Sequence, residues 1–256
     1  MNYKACLIRL LTNMHVGGGD SNFGVVDKLV QRDPVTNYPT VFSSSLKGAL
    51  KEYCNGESFV SDVFGDNDNA GNYRFFAANL LALPARSNKK SFFMATAPSV
   101  LKEFMGTLTT FGIGNGFDDI QKLAKKPVDK GKVFVNHSEP MRIEDWGSIH
   151  DAEIPTSNPL LGNNIALFHE DDFKELANNL PVIARNHLEN GQSTNLWYEE
   201  IVPRESRFYF ILGFGESNHD EFETKIRKGI VQIGGNASIG YGFTKIEKIV
   251  QEIDHE

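Results

Sequence analysis

Glycine placement constrains this chain more than any other feature of its sequence. Gly17, Gly18 and Gly19 stop the apolar run of residues 3–12, while Gly234, Gly235, Gly240 and Gly242 precede the last alternating run, residues 243–249. Glycine is favourable where backbone turns sharply or closely approaches a ligand, and unfavourable inside a helix or strand. Both ends of the chain therefore read as short strands joined by tight loops. The 256 residues include 23 Gly and 19 Phe, which favours loop backbone and aromatic packing over long helices. A chain of this length forms one large domain with a core that needs neither disulfide nor structural metal.

The short, closed run of residues 3–12 reads as a buried strand. Ser43 or Ser44 is a candidate cap for a helix over residues 45–54, with Leu46, Leu50 and Tyr53 at helical spacing. Residues 73–85 read as one strand and 92–97 as another. Pro98, at a first helical position, opens a helix through Met105. Residues 111–117 read as a loop. From 131 to 165 only residues 132–135 look like a strand before polar residues, Trp146 and prolines take over. An insertion outside the core is expected there. Residues 165–168 suggest a short strand, and His169 to Asp172 starts a helix. Residues 196–202 and 206–214 read as an antiparallel pair around Pro203, followed by a helix over 220–231 and a terminal strand over 243–249. This order gives an α+β fold in one domain, 1–256, and a ferredoxin-like (RRM-like) antiparallel sheet is its simplest design.

The formal net charge of −7 excludes a generic basic nucleic-acid binder, so any RNA must lie in a local basic groove. Cys6 and Cys54 form no C-x-x-C pair, which excludes a zinc ribbon or a disulfide framework. The N-terminal run has no signal-peptide pattern and no window is long enough to span a bilayer, so a cytoplasmic protein without membrane contact is expected. Several motifs fail on inspection. The stretch from Asp66 to Gly71 starts like a calcium loop but has Ala70 and Ala77 at ligand positions, which leaves a solvated turn. Gly235 to Gly240 has phosphate-loop glycine spacing, yet Tyr241 and Gly242 replace its Lys and Ser/Thr. Gly112, Gly114 and Gly116 follow no strand and open no helix. There is no G-x-S-x-G or H-E-x-x-H, and the histidines are scattered.

Four segments remain: Met14 to Gly19 continuing through Phe23-Gly-Val-Val-Asp27 to Asp33; Phe42-Ser-Ser-Ser-Leu-Lys-Gly-Ala-Leu-Lys51; Asn195-Leu-Trp-Tyr-Glu-Glu-Ile-Val-Pro203; and Ile233-Gly-Gly-Asn-Ala-Ser-Ile-Gly-Tyr-Gly-Phe243. In this order they resemble the RAMP superfamily of CRISPR systems, and within it the backbone (fourth) subunits of type III-B Cmr effector complexes. The resemblance covers residues 1–85 and 180–250. Leu29 stands where that group often has Pro, and Asp33 where it usually has Glu.

Each motif also has a reading of its own. Ser43, Ser44 and Ser45 lead a helix carrying Lys47 and Lys51; free amides, hydroxyls and an ammonium suit a phosphate, though an ordinary cap with solvated lysines would look the same. The resemblance implies guide-RNA backbone at this helix, at Gly17, Gly18, Gly19 and Arg32, and along Gly234, Gly235, Gly240 and Gly242. Read alone, Asp27 is a turn former; the resemblance makes it the target-cleaving carboxylate and a possible ligand of Mg2+ or Mn2+. His15 is a second catalytic candidate or a packed loop histidine. Glu199 and Glu200 are successive strand residues, so no more than one faces an RNA groove with ease.

The resemblance further implies an endoribonuclease that needs a divalent cation and cuts target RNA at regular intervals. The implied partners are guide crRNA, target RNA and further copies stacked into a filament. A large polymerase-like subunit, a small helical subunit and other RAMP subunits complete the set. The mid-chain insertion, residues 131–165, would serve as a thumb. A non-catalytic RNA-binding backbone is the alternative; a guide-precursor nuclease fits less well, because the Leu196 to Glu200 and Gln31-Arg32 runs belong to the backbone group.

Overall fold

The computed structural model describes residues 1–19, 24–114, 116–215 and 220–249. Phe23 of the first motif and Asn115 of the glycine-punctuated loop lie outside them. In chain order, β1 (Asn2–Leu10) leads through β2 (Thr40–Val41) to the helices α1 (Ser43–Tyr53) and α2 (Val60–Phe64). Three strands follow, β3 (Tyr73–Phe75), β4 (Ala78–Arg86) and β5 (Phe92–Thr96), then α3 (Pro98–Thr110) and α4 (Asp118–Lys125). The middle carries β6 (Lys132–Val135), β7 (Arg142–Ile143), β8 (Trp146–His150), the small hairpin of β9 (Ser157–Asn158) and β10 (Gly162–Asn163), and β11 (Ile165–Phe168). After α5 (Glu170–Asn178) come β12 (Val182–Glu189), β13 (Gln192–Glu200), β14 (Arg207–Phe214), α6 (Asp220–Lys228), β15 (Val231–Gln232) and β16 (Phe243–Lys248).

The main sheet runs β15-β16-β1-β14-β4-β5-β11-β6-β8-β7, with β2 beside β4 and β3 beside β14. Its pairings are antiparallel except β5 with β11 and β6 with β8. At the centre, β14 is buried along its whole length, as its unbroken apolar run requires. The two-residue period of β1 sorts its side chains. Lys4, Cys6 and Ile8 share a face with Phe208 and Phe210, while Tyr3, Leu7 and Arg9 share the other with Tyr209 and Arg207. Helix α6 covers the first face, where Lys4 pairs with Glu223 and Phe222 packs edge-on against Phe64 and Tyr73. Helix α3 covers the second, with the Phe104 ring 4.9 Å from that of Tyr209. Among the described residues no helix is long and apolar enough to cross a membrane.

Four expectations need correction. Residues 131–165 do not stand outside the core: β6, β8, β7 and β11 extend the main sheet, and Val133, Val135, Ile143, Ile154 and Leu161 are fully buried. Most of the polar residues that obscured this segment, Asn136 to Glu139, Glu144, Asp145, Asp151, Glu153 and Thr156, lie in the turns between these short strands. Second, β13 pairs with β12 and not with β14, because Asn190 and Gly191, both at positive φ, turn the chain into a hairpin that stands apart from the main sheet. Third, the run 73–85 is two strands, divided where Phe76 donates its N–H to the Ile211 carbonyl. Fourth, Ser43 and Ser44 lie inside α1, whose N-cap is Phe42, with no side-chain cap bond. Boundaries also shift: α3 runs on to Thr110, α6 ends at Lys228, and α4 occupies residues with no expected element. Both cysteines are free and buried, and Asp66 accepts from the Asp68 and Asn69 N–H groups in the turn expected of it.

The β12–β13 hairpin has no second sheet face to protect it, and its residues from Gln192 to Leu196 are exposed. Limited proteolysis of the isolated chain is therefore expected to cut first between Asn186 and Leu196. Peptide mapping that found the first cut within residues 131–165 would contradict this packing.

Candidate nucleic-acid interface

The N-terminal glycines, the residues around Asp27, the end of β13 and the C-terminal glycine loop are far apart in sequence and adjacent in space. Residues 27–32 form no regular strand but are stitched on both sides by backbone bonds. Gly18 N–H donates to Leu29 O (2.9 Å) and Gln31 N–H to Val16 O (2.8 Å), while Glu200 N–H donates to Lys28 O (2.9 Å). On the C-terminal side, Gly235 N–H donates to His15 O at 2.9 Å. A Cβ at Gly234 would collide with that same carbonyl, and one at Gly242 with Ile233 O; both residues have positive φ. Glycine is what lets the C-terminal loop lie against His15.

Asp27 is exposed at the end of this stitched segment. Its N–H donates to Tyr198 O at 3.1 Å, and its Oδ2 accepts from Tyr198 N–H at 2.7 Å. The carboxylate is thus fixed by the hairpin and still open to solvent. His15 is buried, and its Nδ1 lies 2.7 Å from Glu200 O. A carbonyl only accepts, so Nδ1 carries the proton and the neutral ring has an acceptor at Nε2, on its Gly17 side.

Glu199 and Glu200 both leave solvent, on opposite sides of β13. Glu199 is 2% exposed and accepts from Arg185, from Trp197 Nε1 (2.9 Å) and from Asn236 Nδ2 (2.9 Å), with Lys28 Nζ at 3.5 Å. Glu200 is 4% exposed; it accepts from Arg32 and from Val30 N–H (3.1 Å). They anchor the hairpin root and reach no solvent-side ligand. Arg32 is likewise committed inward, with Nη1 bonded to Asn37 O (2.8 Å) and Ala177 O (3.0 Å).

At α1, Ser43 and Ser44 are exposed and Ser45 and Lys47 partly so. Gln31 ties this helix to the first glycine loop: its amide donates to Gly17 O and Ser45 Oγ and accepts from Phe42 N–H. Gly17, Gly18 and Gly19 are exposed beside it, as are Gly234, Gly235 and Gly240. Lys51 points elsewhere, donating to Gly65 O at 3.0 Å. Sequence reasoning did not single out Arg185, whose guanidinium stacks 4.5 Å from the Tyr241 ring, or Asn236, a left-handed residue reaching Glu199. The positive-φ demand on an Asn between glycines was the available signal for Asn236.

The donor set does not make a cation cage. Among the described residues no group of three His, Cys, Asp or Glu side chains converges on one point. Asp27 is a single open carboxylate, and Glu199 and Glu200 already face guanidinium groups. These residues do not by themselves hold a metal ion.

A sheet with helices on both faces carries, along one exposed edge, the glycine loops, the α1 hydroxyls and one pinned carboxylate. A model of the RAMP superfamily matches residues 7–245, and the chain belongs to that superfamily. It is 29% identical, over 95% of both chains, to the CRISPR system Cmr endoribonuclease Cmr4 of Pyrococcus furiosus. It is 44% identical to the CMR subunit Cmr4 of Saccharolobus solfataricus, over 33% of this chain and 30% of that one. Among solved structures it overlays on a chain of the type III-B Cmr-beta complex bound to cognate target RNA, with TM-score 0.80 at 24% identity and 97% of both chains covered. Oligomeric Cmr4 from Pyrococcus furiosus gives 0.72 at 22% identity, over 98% of this chain and 100% of that one.

Glu199 also sets a pH dependence. Burial raises its pKa, but the Trp197 and Arg185 hydrogen bonds and the Arg185 charge outweigh burial, and the carboxyl sits below its ordinary 4.5. A folded value below the unfolded one adds stability that is complete above the unfolded pKa and is lost as pH falls through the folded pKa. Denaturant midpoints measured from neutral pH into the acid range are expected to fall, and to fall less steeply in Glu199→Gln. Parallel profiles for the two proteins would remove Glu199 from the linkage.

Proposed function

We propose that this chain is the guide-RNA-binding backbone subunit of a type III-B Cmr interference complex and cleaves complementary target RNA from Asp27. The observation that carries the reading is the meeting of the two glycine loops, the α1 serines and the pinned Asp27 carboxylate along one exposed edge. The likeness to the Pyrococcus furiosus Cmr endoribonuclease supports it, as does the fold shared with chains of Cmr complexes. We read β16-β1-β14-β4, with α1 after β1 and α6 after β14, as a ferredoxin-like core. The thumb role passes to the β12–β13 hairpin, which leaves the main sheet and whose root carries Asp27's partner, Tyr198. Guide crRNA would lie along α1 and the glycine loops with target RNA paired to it. Further copies would stack head to tail along the guide beside the large polymerase-like, small helical and other RAMP subunits, in the cytoplasm.

In this reading Asp27 accepts the proton of a target 2′-hydroxyl. That oxygen forms a bond to the adjacent phosphorus, the bond to the 5′-oxygen breaks, and water protonates the leaving oxygen. The products are a 2′,3′-cyclic phosphate and a 5′-hydroxyl. The Tyr198 N–H holds the base in place, and the exposed Lys28 ammonium offsets charge building on the phosphoryl oxygens. His15, whose Nδ1–H points to Glu200 O, ties the start of the first glycine loop to the hairpin root. A Mg2+ or Mn2+ ion, which we propose cleavage requires, would be carried by the RNA phosphates and would supply charge neutralisation.

Asp27→Asn keeps an acceptor for Tyr198 N–H and removes the base. Stability should change by no more than about 0.5 kcal/mol, and assembled complexes should bind target as before. Cleavage of labelled target with magnesium or manganese should fall by at least roughly a hundredfold. Unchanged cleavage would take Asp27 out of the chemistry, and no cleavage by the unmutated complex would favour the non-catalytic backbone.

Lys47 tests the guide side. Lys47→Ala should weaken guide binding for every sequence and lower the slope of log affinity against log salt by up to about one unit, because a phosphate contact carries no base information. A loss confined to one guide sequence would refute a backbone contact.

A further inference from the structure

Away from the Asp27 edge, on the α3 face of the sheet, a cavity of about 570 Å3 opens between Arg9, Arg207, Glu247 and the β9–β10 hairpin. It shares no residue with the interface described above. Arg9 and Arg207 stand directly opposite each other in the β1–β14 register. Like charges so placed repel unless something lies between them. Arg9 is answered by Glu205 through two bonds of 3.0 Å. Arg207 has no such answer: it is 8% exposed, its Nε has no hydrogen-bond partner, and among the described residues no carboxylate lies within ion-pair distance of it. Its counter-charges, Glu205 and Glu247, act only beyond ion-pair distance, and a buried guanidinium without a bonded partner is costly.

The wall around it offers donors. Asn158 spends its amide oxygen on the Leu160 and Leu161 N–H groups, and Asn164 spends its own on Lys90 Nζ at 2.9 Å. What these two lining residues have left is their NH2 ends. Gly162, at φ +96°, lets the guanidinium lie flat against β10, since a Cβ there would stand 3.1 Å from Arg207 Nη2. Glu205 and Glu247 also line the cavity, but Glu205 is already paired with Arg9. Burial and the neighbouring Arg9 pull the Arg207 pKa down from its usual value, opposed by Glu205 and Glu247.

We propose that Arg207, Asn158 and Asn164 form a second anion site, one that takes a phosphate group. A buried guanidinium with no bonded partner, in a cavity also lined by two amides whose oxygens are already engaged, matches a tetrahedral oxyanion that accepts on every side. The group is either a free phosphate or a phosphodiester of RNA, and the two are separable by probe.

The full chain would be titrated with inorganic phosphate, and separately with a dinucleoside phosphodiester, at constant ionic strength, reading heat and melting temperature. Saturable binding and a raised melting temperature are expected. Arg207→Met should abolish both responses without lowering the baseline melting temperature, since it also removes an unpaired buried charge. Asn164→Asp, a gentler change at the rim, should weaken phosphate at least about tenfold, the scale of a hydrogen bond to a charged group. Asp27→Asn should leave both responses intact, so this site stands or falls separately from the cleavage edge. Response to the diester as well as to phosphate assigns the site to RNA backbone; response to phosphate alone assigns it to a free anion. Unchanged phosphate binding in Arg207→Met overturns the proposal, as does saturation by acetate with none by phosphate.

Discussion

Two successive buried carboxylates hold the interface together. Glu199 and Glu200 leave β13 on opposite sides, and each meets a guanidinium brought from elsewhere in the chain, Arg185 from β12 and Arg32 from the Asp27 segment. Removing one partner of such a pair leaves an uncompensated buried charge, at a typical cost of about 3–5 kcal/mol. The segment from Asp27 to Arg32 belongs to no strand of the main sheet, so its course depends on these contacts and on a few backbone bonds. Glu200 alone fixes it three ways: through Arg32, through Val30 N–H, and through its own N–H to Lys28 O. Asp27 is one residue beyond the last of these ties.

Each such pair neutralises one negative and one positive charge, so the net charge of −7 is unchanged and any grip on a polyanion has to be local. Arg32 and Arg185 are spent on that neutralisation and are not available to grip phosphate. What faces solvent along the edge is exposed glycine backbone, the α1 hydroxyls, Lys28 and Lys47. Such an edge would bind by geometry more than by charge, and under the proposed function many weak backbone contacts would suit an affinity summed over copies along a guide.

Much of this was legible in the sequence wherever local pattern and tertiary role agree. β1, β5, α3 and β14 announce themselves because continuous or alternating apolar residues are also what their burial demands. Asp27, His15, Glu199 and the glycines were singled out from motifs, and the structure gathers them in one place. The failures have physical causes. Residues 131–165 form strands of two to five residues, too short for a period to emerge, and the polar turns between them looked like a solvated insertion. The hairpin was missed because Asn190-Gly191, a strong turn signal, sits between strands with little apolar alternation. Glu199 and Glu200 looked like groove residues because strand alternation cannot say that both of its directions end in protein. Arg185 had no local signal at all, its partners being 14 residues ahead at Glu199 and far beyond at Tyr241.

Asp27 differs from these buried acids in one respect that bears on its chemistry. Among the described residues its carboxylate is oriented by one peptide N–H, that of Tyr198, and the residue is exposed, so these residues supply position without enclosing the group. A buried base would be shaped for catalysis before RNA arrived; an open one acquires its surroundings only when paired strands cover it. The surroundings then come from the hairpin that carries Tyr198 and from the duplex itself. Under the proposed function, cleavage would depend on the target lying in register along the guide, since the same hairpin that orients Asp27 would have to meet the RNA backbone at the right nucleotide. Loose single strands would touch the carboxylate without presenting a 2′-oxygen in line with its phosphorus. On that proposal the openness of the site would itself be a source of selectivity, because most of the catalytic geometry would be left for the correct substrate to complete.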